Sequence, residues 1–232
     1  MINNFFKKHE TLACILLIVL YVVTNSICLN NFGITSLETA IVNAIFSIFL
    51  IVLTAILKRG GYYGLKKPKN SKKFLYFLPL ILIVSVNLWN GFNVKNTPLE
   101  ILFHTITMLN VGFIEELIFR GYLFKMMEKS NVKVAIIVSA LTFGIGHIVN
   151  LLNGAELIPT LLQICYAVSI GYLFVIIFYK SGSIWPCIIA HSLTNALSIF
   201  NVTNHFSLYI EPIFLIVFPL IYAFVIHKTT KQ

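Results

Sequence analysis

Long runs of apolar residues, separated by short polar stretches, repeat along the whole chain. A helix needs about 20 apolar residues to cross the hydrocarbon core of a bilayer. The runs predict eight such helices, over Leu12–Leu29, Thr39–Leu57, Phe74–Leu88, Leu99–Phe124, Val134–Val149, Leu157–Phe178, Ile184–Ile199 and Ile210–Ile226. We therefore expect an all-α fold, a polytopic transmembrane helical bundle of about eight spans. Residues 1–232 form a single integral membrane domain in this interpretation.

The basic residues between these runs predict the orientation of the bundle. Connections at one end hold Lys7, Lys8, Lys58, Arg59, Lys66, Lys67, Lys69, Lys72, Lys73, Lys125, Lys129, Lys133, Lys180, Lys228 and Lys231. The connections at the opposite end hold only Lys95, and Arg120 lies within a span. Because lysine and arginine are enriched in cytoplasmic loops, this pattern predicts an even number of crossings with both termini in the cytoplasm.

The composition agrees with a membrane protein. Hydrophobic residues make up 58% of the chain and charged residues 11%, whereas soluble domains are about 45–50% apolar and about 25% charged. The net charge of +9 follows the predicted topology, and no arginine-rich run indicates a nucleic-acid partner. The four cysteines lie in or beside apolar runs without a CxxC pair, which predicts buried apolar residues, not a disulfide or zinc framework.

The fourth predicted span carries three ionisable residues close together, Glu115, Glu116 and Arg120. Each charge costs about 2.5–3.5 kcal/mol at the centre of a membrane helix, so intramembrane charges indicate function. Glu116 and Arg120 are spaced i,i+4 and can pair on one helix face. Glu115 points about 100° away from Glu116 and needs another partner. His104 returns to nearly the face of Glu115, where a structural role is favoured over a catalytic one.

Two later spans contain further polar residues. The fifth holds His147, four residues after Phe143, and the seventh holds His191 and Asn195, again spaced i,i+4. Taken singly, an intramembrane histidine or asparagine is more often a hydrogen-bonding link between helices. Two glutamates, two histidines and an asparagine on three spans indicate a functional site.

Peptide hydrolysis is a reaction that this set of side chains can perform. A glutamate in an apolar cavity can take a proton from water, and histidine and asparagine donors can stabilise an oxyanion. The chain has no aspartate for an aspartyl mechanism, no HExxH zinc motif and no GxSG motif. A glutamate-centred site or a metal held across helices remains. Glu115, His147 and His191 are acceptable zinc ligands, although their spacing does not require a metal.

The sequence resembles the CPBP family of intramembrane proteases at these residues. The family groups CAAX-processing enzymes with bacteriocin-processing and abortive-infection proteins, and its motifs are EExxxR, FxxxH and HxxxN. Here they correspond to Glu115-Glu116 with Arg120, Phe143 with His147, and His191 with Asn195. The resemblance covers roughly the C-terminal half, with a catalytic core at about residues 99–226.

The resemblance implies a role for each residue. Glu115 is the base that activates water, His147 positions that water, and His191 with Asn195 forms the oxyanion hole. Glu116 and Arg120 fix the helix geometry and the local charge. Family members are often labelled metalloproteases, whereas the CAAX branch favours a glutamate mechanism. We favour a mechanism that requires no cofactor, with a divalent metal such as zinc on Glu115, His147 and His191 as the alternative.

The expected function is an intramembrane endopeptidase acting on a membrane-associated peptide or protein, with the lipid bilayer as its other partner. One alternative is a non-catalytic bacteriocin-immunity or scaffold protein of the same family. Another is a proton-coupled transporter that uses Glu115 and the histidines as a relay. Richness in lysine, isoleucine and asparagine indicates an AT-rich bacterium and its plasma membrane, which disfavours a prenylated CAAX substrate. Helix-rise distances predict that the site opens toward the cytoplasmic half.

Overall fold

The chain folds into a bundle of helices. The computed structural model describes residue 6 and residues 8–69 and 77–230. Eight main helices lie within this part of the chain: α1 (Glu10–Phe32), α2 (Leu37–Ile56), α3 (Leu80–Ser85), α4 (Pro98–Met127), α5 (Val132–Leu152), α6 (Leu157–Ser181), α7 (Trp185–Leu197) and α8 (Phe206–Thr229). Short 3₁₀ turns extend α3 over Val86–Leu88 and α7 over Ser198–Phe200. The described residues contain no strand, so the all-α prediction is confirmed.

The helices correspond one to one to the predicted spans, although two of them are short. Six, all except α3 and α7, are long and apolar enough to cross a membrane. The third predicted span begins at Phe74, and residues 74–76 lie outside the described part of the chain. The 13 residues of α7 cover about 20 Å at 1.5 Å per residue. This is less than the roughly 30 Å of a hydrocarbon core, so α7 alone is too short to cross it.

Local sequence signals set the ends of the helices. Thr97 caps α4 in a reciprocal capping box with Glu100, and Pro98 occupies the first turn, where its missing N–H costs nothing. The Asn131 side chain accepts a hydrogen bond from the backbone N–H of Val134 at the start of α5. Gly182 ends α6 with φ +68°, a left-handed conformation that glycine adopts without strain. The chain can therefore reverse directly into α7.

The fourth helix lies at the centre of the bundle. It packs against α2 and α7, and its second half contacts α1 and α5, while α6 packs between α5 and α8. Residues Leu117–Phe124 of α4 form a π-helical segment in which every residue is buried. Such segments are rare and frequently occur at functional sites. This one begins directly after the glutamate pair.

Helices α4 and α7 touch at Gly112. A Cβ atom placed on Gly112 would lie 2.7 Å from the backbone nitrogen of Ser192 and 2.8 Å from its Cα. The Ser192 hydroxyl also donates to the Leu109 carbonyl at 3.0 Å. Small residues allow this close approach of two membrane helices, and the contact sets the distance between the polar residues of α4 and α7.

The two ends of the bundle differ in chemistry. At the lysine-rich end, Glu10 of α1 pairs with Arg59 at 2.6 Å and with Lys129. The opposite end is held by neutral amides, and Asn30 at the end of α1 donates to Asn153, beyond α5, at 3.0 Å. The described basic residues follow the predicted alternation between ends, and the sequence-based assignment of the lysine-rich end to the cytoplasm stays a prediction.

Candidate active site

Glu116, Arg120 and His191 form a buried polar group between α4 and α7. Oε1 of Glu116 accepts from Nη1 of Arg120 at 3.0 Å and lies 2.9 Å from Nδ1 of His191. Neither the Glu116 nor the Arg120 side chain is exposed. The i,i+4 pairing predicted from the sequence is therefore present, and a histidine of another helix completes it.

Arg120 is surrounded by groups that suit a buried guanidinium. Its Nη2 donates to the Gly171 carbonyl of α6 at 3.3 Å, and its Cζ lies 4.2 Å from the centre of the Phe143 ring. A cation over an aromatic face is attracted by the electron-rich ring. A Cβ on Gly171 would come within 3.1 Å of Nη2, so a small residue is needed at this position.

Glu115 has a different environment from its neighbour. Its Oε1 accepts from the Tyr21 hydroxyl of α1 at 2.9 Å. Its Oε2 lies 3.5 Å from Nε2 of His191 and has no hydrogen-bond partner among the described residues. When Nδ1 of His191 donates to Glu116, Nε2 is the nitrogen that faces Glu115. One imidazole thus connects the two glutamates.

The Phe143 ring brings His147 close to this group. Its centroid lies 5.5 Å from the His147 ring and 5.6 Å from the His191 ring, with nearly perpendicular planes. His147 follows Gly146, where the regular part of α5 ends. The FxxxH spacing places the phenylalanine and the histidine one turn apart on α5. Helix α7 brings His191 to the same ring.

Asn195 lies one turn beyond His191, and His104 fixes the backbone there. Nε2 of His104 lies 3.2 Å from the Asn195 carbonyl oxygen and 3.4 Å from the Ser198 hydroxyl. Ser198 also donates to the Asn195 carbonyl at 2.7 Å. His104 is 3% exposed and anchors the end of α7, in agreement with the structural role expected of it.

Comparison with known proteins identifies the central part of the chain. Residues 97–197 match the family model described as type II CAAX prenyl endopeptidase Rce1-like. They form an Rce1-like domain. The match covers α4 to α7 and includes all six predicted site residues, and the family is one of intramembrane endopeptidases. Comparison with curated proteins and with solved structures gives no significant match.

A cavity of about 360 Å³ leads to the site of the Rce1-like domain. Its wall includes four of the predicted site residues, Glu115, His147, His191 and Asn195. Glu116 and Arg120 lie behind the wall. The Glu115 side chain is 13% exposed while that of Glu116 is 0% exposed, so Glu115 is the carboxylate that a molecule in the cavity can reach.

The cavity opens away from the lysine-rich end. Its outer wall is formed by Leu29, Ile34, Asn153 and Ser198, at the end of the bundle where the connections carry only Lys95. The helix-rise distances predicted an opening toward the lysine-rich half, and the lining residues place it at the other end. On the lysine-rich side the buried π-helical segment of α4 fills the space below Glu116. Helix-rise distances follow single helices and contain no information on the relative heights of neighbouring helices.

The alternative of a metal held by Glu115, His147 and His191 stays a prediction. In the described part of the chain, no three histidine, cysteine or carboxylate side chains are grouped so as to hold a metal ion. His191 directs Nδ1 at Glu116 and Nε2 at Glu115. No step below uses a metal.

One polar partner and two spacing residues of the site gave no signal in the sequence. Tyr21 lies on α1, outside residues 97–197, in an apolar run where a tyrosine gives no signal. Gly112 and Gly171 are single glycines within spans, and their contacts lie on other helices. The hydrophobic pattern of a single helix does not reveal these residues, because the contact of each one depends on how two helices pack together.

Proposed function

We propose that this protein is an intramembrane endopeptidase in which Glu115 activates the water that cleaves a peptide bond. The position of Oε2 of Glu115 carries the proposal. Glu115 lines the cavity. Its Oε2 is buried beside Nε2 of His191 and lacks a hydrogen-bond partner among the described residues, while Tyr21 holds the other oxygen in place. A general base needs an available oxygen within reach of the proton that it removes.

The reaction proceeds by addition and elimination. The water oxygen attacks the carbonyl carbon of the scissile bond as Oε2 of Glu115 takes one of its protons. The carbonyl oxygen becomes an oxyanion in a tetrahedral intermediate. Glu115 then gives the proton to the leaving nitrogen, the C–N bond breaks, and a carboxylic acid and an amine result. The glutamate ends in its starting state, and no oxidant or reductant is consumed.

The polar residues of α5 and α7 assist this step. Asn195 lies on the cavity wall one turn from His191, and its side-chain amide is a hydrogen-bond donor for the oxyanion. His191 stands beside Glu115, where Nε2 can donate to the same oxyanion when it carries a proton. His147, which contacts the Phe143 ring and lines the cavity, orients the water.

Glu116 and Arg120 act on the reaction through His191. The Glu116 carboxylate holds Nδ1 of His191 and so fixes the orientation of the ring, as a carboxylate partner does for other catalytic histidines. Arg120 compensates the buried charge of Glu116. They are positioning residues, since neither lies on the wall of the cavity.

The test is cleavage of membrane peptides by the purified full chain in liposomes. Wild type and Glu115→Gln are compared, each with and without a chelator. Cleavage that is lost in Glu115→Gln and resists chelation is expected. Cleavage retained by a folded Glu115→Gln protein would refute the role of Glu115, and sensitivity to the chelator would indicate a metal. No cleavage by either protein would favour an immunity or scaffold function.

We propose the plasma membrane of a bacterium as the location, from the residue usage and the multi-pass fold. A bacteriocin leader, a signalling peptide or a membrane regulator is the substrate type that fits this setting. The family description mentions prenyl endopeptidases, and the bacterial setting disfavours a prenylated substrate for this chain.

A further inference from the structure

The cavity has two zones with different chemistry. The deep zone around Glu115 is apolar and aromatic, with Phe119, Phe143, Ile170 and Phe174 in its wall. The mouth is rich in side-chain amides, contributed by Asn25, Asn87, Asn150, Asn153 and Gln163. Apart from Glu115 and the two histidines, the residues lining the cavity include no side chain that carries a charge.

The amides at the mouth are suited to polypeptide backbone. Asn150 donates to Gln163 at 2.9 Å, and Asn43 donates to Asn25 at 3.3 Å. Each carboxamide has two donors and one oxygen with two lone pairs, so these bonds leave capacity on both partners. A peptide unit likewise offers one N–H and one carbonyl. A strand of polypeptide crossing the mouth can therefore exchange hydrogen bonds with neutral partners of the same kind.

The same wall disfavours charged ligands. A free terminal carboxylate, a lysine or a glutamate in the deep zone would lose water, and no lysine or arginine of the wall could compensate an anion there. Burial of an unpaired charge is strongly unfavourable. The only lining carboxylate, Glu115, is the group that must stay available as the base.

The position of the mouth sets the side of access. All the outer wall residues belong to the end of the bundle opposite Lys58, Lys125 and Lys180. By the positive-inside rule that end is not cytoplasmic. We propose that the substrate is an uncharged stretch of polypeptide that reaches Glu115 from the non-cytoplasmic half of the membrane. That the bound polypeptide is a substrate rests on the proposed function. The neutral ligand follows from the lining of the cavity, and the side of access from the cavity together with the distribution of basic residues.

Cysteine labelling tests the side of access without any catalysis. Among the four cysteines only Cys165 is exposed, so a Cys165→Ala protein should show little labelling of its native thiols. Ser26→Cys places a thiol in the cavity wall. Ser130→Cys is the matched control in the exposed connection between α4 and α5 at the lysine-rich end. In intact cells, a membrane-impermeant maleimide should label Ser26→Cys, and should label Ser130→Cys only after permeabilisation. The reverse pattern, or no labelling of Ser26→Cys before permeabilisation, would overturn the proposal.

Protection from labelling tests the chemistry of the ligand. Ser26→Cys is combined with Glu115→Gln, and the purified chain is mixed with pools of short peptides blocked at both termini. A pool of apolar and small uncharged residues should slow the labelling several-fold. A matched pool with one lysine or glutamate in each peptide should not. Equal protection by both pools, or by neither, would contradict a neutral binding site.

These results separate the two proposals. Protection by the uncharged pool without any cleavage by the wild type would refute the proposed protease and keep the inferred ligand. Cleavage by the wild type with labelling of Ser26→Cys only from the cytoplasmic side would do the opposite.

Discussion

Glu115 and Glu116 are neighbours in sequence with different partners. Glu116 compensates a fully buried arginine, whereas Glu115 accepts from a tyrosine and borders the cavity. Glu116 is therefore a structural carboxylate, whereas its sequence neighbour Glu115 is accessible from the cavity.

The first prediction compares Glu115→Gln with Glu116→Gln. Loss of one partner of a buried ion pair costs about 3–5 kcal/mol, so Glu116→Gln should lower the midpoint of thermal unfolding clearly. Glu115→Gln should leave the midpoint nearly unchanged and abolish cleavage. Thermal melts in detergent and peptide cleavage check the pair. Equal destabilisation by the two substitutions would contradict the division of roles.

The second prediction concerns Tyr21. Tyr21→Phe removes the donor that holds Oε1 of Glu115, and a hydrogen bond to a charged group is worth about 1.5–3 kcal/mol. We expect kcat to fall about ten- to hundred-fold, with little change in KM, because the base is misplaced while the cavity keeps its shape. Steady-state cleavage of the peptide found for the wild type measures both constants.

Tyr222→Phe is the matched control for Tyr21. Tyr222 is 7% exposed, and its hydroxyl has no partner in the described structure, so kcat should stay at the wild-type value. A fall in kcat as large for Tyr222→Phe as for Tyr21→Phe would show that loss of any buried hydroxyl is harmful.

At the scale of helices, the distance between α4 and α7 determines whether His191 reaches the glutamates. Gly112 allows the contact with Ser192 one turn before Glu116. The clash of a methyl group with Ser192 backbone cannot be relieved by a side-chain rotation.

The third prediction follows from this contact. Gly112→Ala should destabilise the protein by about 1–3 kcal/mol, as overpacking does, and should lower kcat because the α7 histidine moves away from Glu115. Gly61→Ala is the control, since a Cβ at Gly61 meets no atom within 4 Å. Thermal melts and cleavage assays measure the two effects. Wild-type activity of Gly112→Ala would rule out the spacing role.

The sequence predicted the positions of the helices and the clustering of the polar residues. It did not predict at which height in the bundle the polar residues and the opening lie. Hydrophobic runs located all eight helices, because a membrane segment must be apolar along its length. The i,i+4 spacings placed Glu116 against Arg120, and His191 and Asn195 on one wall. The predicted side of the opening differs from the observed one, because spacing along a single helix contains no information on its height relative to other helices. The Tyr21 contact was missed for the same reason, since it depends on packing between helices.

At the scale of the whole molecule, the distribution of charge defines two unlike ends. The lysine-rich end is closed by the Glu10 ion pairs and by the buried π-helical segment, and the amide-rich end contains the mouth. In the described part of the chain, the cavity at the site thus opens at the amide-rich end.

The fourth prediction is the orientation of this bundle. A fluorescent protein that matures only in the cytoplasm should be fluorescent when fused after residue 232, and alkaline phosphatase, active only outside, should be inactive there. Both reporters respond to the location of the C-terminus and not to catalysis. An active phosphatase fusion would show that the C-terminus lies outside the cytoplasm. The orientation would then be the reverse of the predicted one, with the mouth of the cavity in the cytoplasmic half.

The surroundings of Arg120 also bear on how the protein is made. Arg120 leaves the ribosome before Phe143, Gly171 and His191, the residues that surround it and its glutamate in the finished bundle. Until those helices are synthesised, its only charged partner within reach on the same helix is Glu116, one turn away. The pair lets α4 enter the membrane nearly neutral during synthesis. A chain truncated before α6 would keep an arginine without its final neighbours, and cellular quality control could recognise this as an unfinished protein.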